Sequence, residues 1–558
     1  MTPNTPATGG YLLDQTPLVR ADPRAHTNYL DKPISPLHLD ALNAIQATPW
    51  RINSFILDVA SEIWTNGLGL AGIGQTVKQA VPARKGEAEW AGMSDKEKIA
   101  HRVLQGAAHS YNNTAEGKLS AFLETLTTAT ELRDQPSFYY PHSLDFRGRM
   151  YPVQSGGLSP QGNDLSKGLL MFSEGKPLGE DGEFWLRVRA ANCAGFDKVS
   201  LLSRNEWVDR HKEDIIRSAS DPLGHTWWST QPEPWCLLAT CLELSAAWGL
   251  HQSSEFISHL SIPLDGSCSG IQHLSAMGLD PVGAQATNLC GGARQDIYQD
   301  VAALVIAAVE EDALDGLVEA LYWQTRVTRA TVKRAVMTTP YGVSSRGIQQ
   351  QLVLDGFCAD APPGDRMALS GYLRDKLTDA LAATVVGART IMGWLQEVAA
   401  NLADAEVAFQ WTTPVGTRIR QAYYADEITR VETLAGRFVL ASSSTEGSLL
   451  KTKAASASAP NVVHSFDAAH MVLTVNAGNA IGISAWSMIH DSFGAHACST
   501  TRLAAILREE FVQMYQTDWL GEIAKEVQSY APHVKIPPNP DRGSFDLNRV
   551  RDSEFFFA

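Results

Sequence analysis

Residues 262–277, IPLDGSCSGIQHLSAM, set one carboxylate, Asp265, between an apolar strand-like lead-in and a turn rich in glycine and serine. Gly266, Ser267 and Gly270 let a ligand approach the backbone closely, and an oxygen donor in such a place suits a hard cation such as Mg²⁺. The same letters also describe an ordinary turn after a strand. A second carboxylate bears on that choice. In MIHDSFGAH, residues 488–496, Asp491 follows the apolar run 481–489. Two aspartates at the ends of apolar strands can share a pair of metal ions and support in-line phosphoryl chemistry.

The rest of the chain must fold so that these distant segments meet. Its 558 residues, 44% hydrophobic and 19% charged, suffice for several subdomains around a large core. The longest apolar stretches, such as 301–309, fall short of a membrane span, and MTPNTPATGG at the N-terminus lacks both a basic and an apolar signal region. The expectation is a soluble, intracellular protein. Seven cysteines, odd in number and without CxxC spacing, indicate neither a disulfide framework nor a zinc site. A net charge of -15 argues against a nucleic-acid partner only on the scale of the whole chain. Locally, basic residues cluster: Arg147, Arg149, Lys167, Lys176, Arg187 and Arg189 in one region, Arg326, Arg329, Lys333, Arg334 and Arg346 in another. A basic cleft in an acidic body fits this pattern.

In chain order, residues 1–38 read as an extended strap, rich in Pro, Thr, Asp and Gly. Residues 39–64 have helical spacing broken at Thr48-Pro49, which predicts two helices. Residues 66–93 are loop-like, and 94–132 predict a helical pair, either lying along a partner or forming a plain surface. In FYYPHSLDFRGRMYPV, Arg147 and Arg149 at period two are expected on one face of a strand. Lys167 in QGNDLSKG falls at a helix start, and the region to about residue 248 is mostly helical. In TRVTRATVKRAVMTTPYG, Arg329, Lys333 and Met337 recur every four residues, so both cations share one helix face. Pro340 should end or kink that helix and turn Tyr341 toward whatever the face binds. A cationic face ending in an aromatic suits a nucleotide, although a solvated basic helix has the same letters. Residues 407–439 alternate like one long hairpin carrying Arg418, Arg420, Arg430 and Arg437, and His464 and His470 fall near a helix start.

Taken together, DFRGR (145–149), QGNDLSKG (161–168), ANCAGFDKV (191–199), DGSCSGIQH (265–273), RATVKRAVMTTPYG (329–342), APNVVHS (459–465), HDSFG (490–494) and the closing Phe-Phe-Ala resemble the single-subunit, phage-type DNA-dependent RNA polymerases, a group that includes the mitochondrial enzymes. The resemblance runs from about residue 9 to 558, in the family's order. It implies an α+β, predominantly helical right-hand fold of palm, fingers and thumb, with an antiparallel palm sheet. The implied division is a strap and N-terminal remnant (1–65), thumb-like helices (66–140), palm (141–175, 259–281 and 468–517), a palm-associated helical insertion (176–258), fingers with the hairpin 410–440 (282–467) and a C-terminal extension (518–558).

Carried over to this chain, the resemblance implies that Asp265 and Asp491, with the Gly266 backbone, bind two Mg²⁺ ions, with no organic cofactor. Lys333, Arg329, Arg334 and Lys198 would neutralise the triphosphate, Lys333 or a neighbour protonating pyrophosphate. Tyr341 would take part in sugar selection, with His464 near the 2′-hydroxyl and Tyr298 among the nucleotide-binding residues. Arg147, Arg149 and Lys167 would hold the template and the RNA–DNA hybrid, and the Ala558 carboxylate would lie near the site. Implied partners are a DNA template, rNTPs and the RNA product, with room for an accessory promoter or melting factor, no membrane and a monomeric state; the implied setting is the cytoplasm of a phage-infected bacterium.

The rival reading is a DNA polymerase or primase-like enzyme of the related right-hand family. That family has a glutamate five residues after the first catalytic aspartate, where its side chain blocks a 2′-hydroxyl; here the position is Gly270, and Ser492 follows Asp491 where the DNA enzymes usually have glutamate. Both differences favour ribonucleotides. A polymerase-like protein that only binds nucleic acid is the non-enzymatic alternative, and intact Asp265, Lys333, Tyr341 and Asp491 speak against it. Family members typically carry a few hundred residues before the segment that begins here at Gly9, so reduced or atypical promoter recognition is expected.

Overall fold

Buried residues recur along almost the whole Lys451–Ala480 helix, from Ala454 to Gly478, so this element lies at the centre of the molecule. The helices Val386–Asp404, Pro36–Gln46, Thr500–Tyr515 and Ser269–Gly278 pack around it. The computed structural model describes residues 17–20, 34–74, 78–154, 156–362, 364–433, 436–442 and 447–558. Among them helices predominate and the sheets are small and antiparallel. No helix among the described residues is long and apolar enough to cross a membrane.

The central helix contains Pro460, which has no amide to bond the Ser456 carbonyl one turn earlier. Gly342 closes on that spot. A Cβ there would lie 2.7 Å from the Ser456 oxygen and 3.3 Å from Pro460 Cγ, and Gly342 has a φ of +71°. Only glycine accepts both constraints without strain.

The largest sheet has three strands in the order Ser487–Ile489, Ser492–His496, Ser261–Asp265. Its register pairs Ser492 with Asp265, Phe493 with Leu264 and Ala495 with Ile262. Ile262, Leu264, Phe493 and Ala495 are buried, and this core demand fixes the register. The Ser269–Gly278 helix follows the Asp265 strand closely, entered through Cys268 in the left-handed conformation. All ten of its residues are buried.

Several stretches fold differently from what their residues lead one to expect. Residues 95–132 form one helix, opened by a capping box between Ser94 and Glu97. The span has no proline, and isolated Gly106 and Gly117 weaken a helix without breaking it. Residues 407–439 form two hairpins: Phe409–Thr412 with Arg418–Gln421, and Glu427–Thr433 with Gly436–Ser442. The turn at Pro414-Val415-Gly416, with Gly416 at φ +77°, separates the first pair, and it has the residues of a turn. His464 and His470 lie inside the central helix, because Pro460 is accommodated rather than starting a new one. Arg147 and Arg149 sit in the turn between the strands His142–Leu144 and Met150–Pro152, not on a strand. The break at Thr48-Pro49 does separate two helices, Pro36–Gln46 and Ser54–Thr65, with the short strand Trp50–Ile52 between them. Most of the strap at residues 1–38 lies outside the described residues; residues 18–20 pair with Leu144.

Gly494 tests the sheet directly, since a Cβ there would lie 2.4 Å from Ser261 Oγ and 2.8 Å from the Ser487 carbonyl. Gly494→Ala should destabilise the protein by about 1–3 kcal/mol, the usual cost of overpacking, read as a lower urea midpoint at unchanged slope. A midpoint equal to the wild type's would mean that the sheet yields at this point.

Candidate active site

The strand pairing sets Asp265 beside the His490-Asp491 turn. The Gly266 amide donates to the Asp491 carbonyl at 3.1 Å, and the Gly266 carbonyl accepts from the Cys268 amide at 3.1 Å. His490, at φ +42°, supplies the positive φ that a two-residue hairpin turn requires. Neither aspartate side chain has an ion-pair partner among the described residues. Burial, and then the neighbouring Asp265, push the Asp491 carboxyl above its ordinary range. Two neighbouring carboxylates with no ion-pair partner among the described residues are an oxygen-donor set that fits hard divalent cations.

Both aspartates open into a cavity of about 440 Å³, which Lys198, Arg329, Lys333 and Tyr298 also line. The Arg329–Thr338 helix begins with a capping box between Thr328 and Thr331. Its four-residue spacing puts Arg329, Lys333 and Met337 along the cavity wall. Arg329 donates to Asp296 at 2.7 Å and its guanidinium lies 4.8 Å from the centre of the Tyr298 ring. Lys198 pairs with its neighbour Asp197. Lys333 has neither an ion pair nor a hydrogen bond among the described residues. The chain's last residue closes the wall, the Ala558 amide donating to the Asp265 carbonyl at 3.3 Å.

Beyond the cavity-lining set, the helix ends at Thr338 and the turn presents the Tyr341 ring 4.6 Å from that of His464. Burial raises the Tyr341 hydroxyl's pKa. Burial, and then Arg149 and Arg147, push the His464 imidazole well down. Gly270 faces this turn, and a Cβ there would lie 2.9 Å from Pro340 and 3.3 Å from the Tyr341 ring. The missing side chain therefore has a packing reason as well as the steric one read from the sequence.

A family model described as DNA-dependent RNA polymerase matches residues 176–534. The chain belongs to that family. Arabidopsis thaliana DNA-directed RNA polymerase 1, mitochondrial, is 34% identical over 531 residues, covering 93% of this chain and 53% of that protein. Nicotiana tabacum DNA-directed RNA polymerase 2B, chloroplastic/mitochondrial, is 34% identical over 538 residues, with 93% and 51% covered. This chain thus spans about half the length of the curated relatives it matches. Those relatives are named for plant organelles, so the expected setting in a phage-infected bacterium draws no support from them. The solved POL domain of Pol1 from M. smegmatis, in complex with DNA primer-template and dNTP, aligns with a TM-score of 0.41 at 12% identity over 87% of this chain and 67% of that one. Membership accords with the predominantly helical α+β fold carrying an antiparallel sheet at the aspartates, the class of the right-hand polymerases.

Arg334, Arg149, Arg147 and Lys167, which the sequence of this RNA polymerase family member also singles out, are not among the residues lining the main cavity. Arg334 points to Asp355 and is half exposed. Arg149 is held by Asp467 of the central helix at 2.5 Å and 3.1 Å, and Arg147 by Asp145 and His464. Lys167 lines a small cavity of about 80 Å³ that shares Asp265, Glu233 and Arg189 with the main one. The sequence offered little warning of Asp467, Asp296 and Glu233, whereas Asp145 opens the DFRGR motif itself. Asp467 stands close in sequence to His464, and that adjacency is the one signal for it. Asp164, Glu233 and Cys236 bring ligand atoms within 4.8 Å of one another. Asp164 nevertheless spends both oxygens on the Trp235 and Cys236 amides at 2.8 Å and 3.0 Å, capping the Pro234–Trp248 helix.

A carboxyl whose folded pKa is raised favours folding while protonated, and that contribution is lost as pH climbs through the folded pKa. In chelator around pH 8 the ionised Asp491 carboxylate therefore opposes folding, and Asp491→Asn should melt a few degrees above the wild type. Added Mg²⁺ should raise the wild type's melting temperature more than the variant's. A variant that melts lower, or equal metal shifts in both proteins, would contradict a destabilising charge at Asp491.

Proposed function

We propose that this chain catalyses DNA-templated RNA synthesis, adding ribonucleotides to a 3′-hydroxyl. The observation that carries the reading is the convergence of Asp265, Asp491 and the Arg329–Lys333 face in one cavity of a chain that belongs to this family. Asp265 and Asp491 would hold two Mg²⁺ ions, which when bound supply the charge that stabilises an in-line displacement at phosphorus. Lys333, free of protein partners among the described residues, contacts the triphosphate and offers a proton to the departing pyrophosphate. Arg329 and Lys198 neutralise the remaining phosphate charge, each by exchanging its carboxylate partner for the ligand or sharing it. Tyr298 keeps Arg329 over its ring, which limits the guanidinium's search for the phosphate.

Sugar choice falls to Gly270, Tyr341 and His464. With no side chain at Gly270 and the Tyr341 ring packed against that position, a 2′-hydroxyl meets no carboxylate. His464, kept neutral by burial and two guanidiniums, contacts the sugar as an uncharged ring. In the proposed division, the sheet bearing both aspartates is the palm, the Asp95–Leu132 helix belongs to the thumb and the Arg329–Thr338 helix to the fingers.

Primer extension on a DNA template with Mg²⁺ and either rNTPs or dNTPs tests the reading. The expected result is extension with rNTPs, reduced on the order of 10³-fold or more by Asp491→Asn, since the lost charge stabilisation amounts to several kcal/mol. Lys333→Ala should lower kcat/KM for the nucleotide by about tenfold to a thousandfold. Activity indifferent to Asp491→Asn would overturn the catalytic assignment, and a preference for dNTPs would make the chain a DNA polymerase.

A further inference from the structure

We propose that Arg147 is a positioning residue that fixes the tautomer of His464, so that the imidazole presents Nε2–H to the incoming sugar. The inference rests on the reading of His464 as a sugar-facing residue. Arg147 Nη1 lies 2.6 Å from His464 Nδ1. A guanidinium can only donate, so Nδ1 must be the acceptor and the ring proton must sit on Nε2. A doubly protonated ring is excluded by the same contact, because it would turn a donor toward a cation.

The rest of Arg147 is spent on holding this aim. Its Nε and Nη2 donate to Asp145 Oδ2 at 3.0 Å and 2.6 Å, and Tyr151 donates its hydroxyl to the same oxygen at 3.2 Å. The other Asp145 oxygen accepts the Arg147 and Arg149 amides at 2.9 Å and 3.1 Å, which braces the turn from within. Arg149 reaches Asp467, one helical turn beyond His464, and so ties the same turn to the central helix a second time. The DFRGR turn is therefore a bracket bolted to the helix that carries His464.

The Tyr341 ring stands beside the imidazole, 4.6 Å away between ring centres. His464 is 9% exposed, and its Nε2 has no hydrogen-bond partner among the described residues. A fixed donor in so closed a place favours a hydroxyl that accepts from it. A sugar with hydrogen at that carbon leaves Nε2–H unpaired, and sites built this way discriminate through the unmet bond. Arg147 acts here through His464 and does not contact the sugar itself.

The test compares incorporation of rNTPs with dNTPs by the wild type, Arg147→Met, His464→Gln and the double variant. Arg147→Met should lower the ribose preference about tenfold, the size of one buried hydrogen bond left unmet, and the double variant should lose no more than His464→Gln alone. An unchanged preference in Arg147→Met, or losses that multiply in the double variant, would overturn the proposal. Nitrogen-15 spectra of wild-type histidine side chains, with His464 assigned from the signal missing in His464→Gln, should report the Nε2–H tautomer, and an Nδ1–H or cationic ring would overturn it without recourse to an Arg147 variant. A ribose preference unaffected by His464→Gln sinks the reading of His464 and this inference with it. Absence of RNA synthesis in the wild type sinks the polymerase reading itself.

Discussion

The antiparallel ladder between Ser261–Asp265 and Ser492–His496 holds two carboxylates where their charges alone would not leave them. Its strength comes from the other face of each strand. Ile262, Leu264, Phe493 and Ala495 are buried in the core, and a one-residue slip would turn all of them outward. The hydrophobic demand on four side chains thus outweighs the repulsion between two, and the site inherits its geometry from packing rather than from any attraction within it. Gly266 and Gly494 belong to the same economy of space, since Phe557, Ser261 and the Ser487 carbonyl occupy the room a side chain would need.

The Lys451–Ala480 helix is the second organising element. Its apolar residues make it a core helix, yet His464, Asp467 and His470 are buried within it. Each has an answer on another element: Arg147 for His464, Arg149 for Asp467 and the Leu507 carbonyl for His470. Polar groups buried in this way fix the helix's rotation and height against its neighbours, because any other setting leaves them unpaired. Pro460 adds a third constraint through Gly342, so the turn bearing Tyr341 is located by a missing hydrogen bond in the central helix.

Much of this was legible in the residues. Asp265 after an apolar run, the four-residue rhythm of Arg329, Lys333 and Met337, and Pro340 as a helix stop all depend on local periodicity and backbone chemistry, and the structure follows them. Arg334 shows where that reasoning stops. It neighbours Lys333 in sequence, but a helix rotates it by about 100° per residue and it meets Asp355 instead. The central-helix partners of Arg147 and Arg149, His464 and Asp467, were illegible for another reason: each lies more than three hundred residues away, and no short pattern encodes such a pairing. The division of residues 407–439 into two hairpins was available in Pro414 and Gly416 but was masked by continuous alternation on either side.

Asp265 and Asp491 are separated by more than two hundred residues, most of which fold into helices between them. Contacts so distant along the chain carry a large loop-closure cost until the intervening segment has itself become compact. The helices between them can form from local contacts, whereas the aspartate sheet gains its contacts only by closing that long loop. Helix content alone therefore does not bring the two carboxylates together; only the completed tertiary fold does.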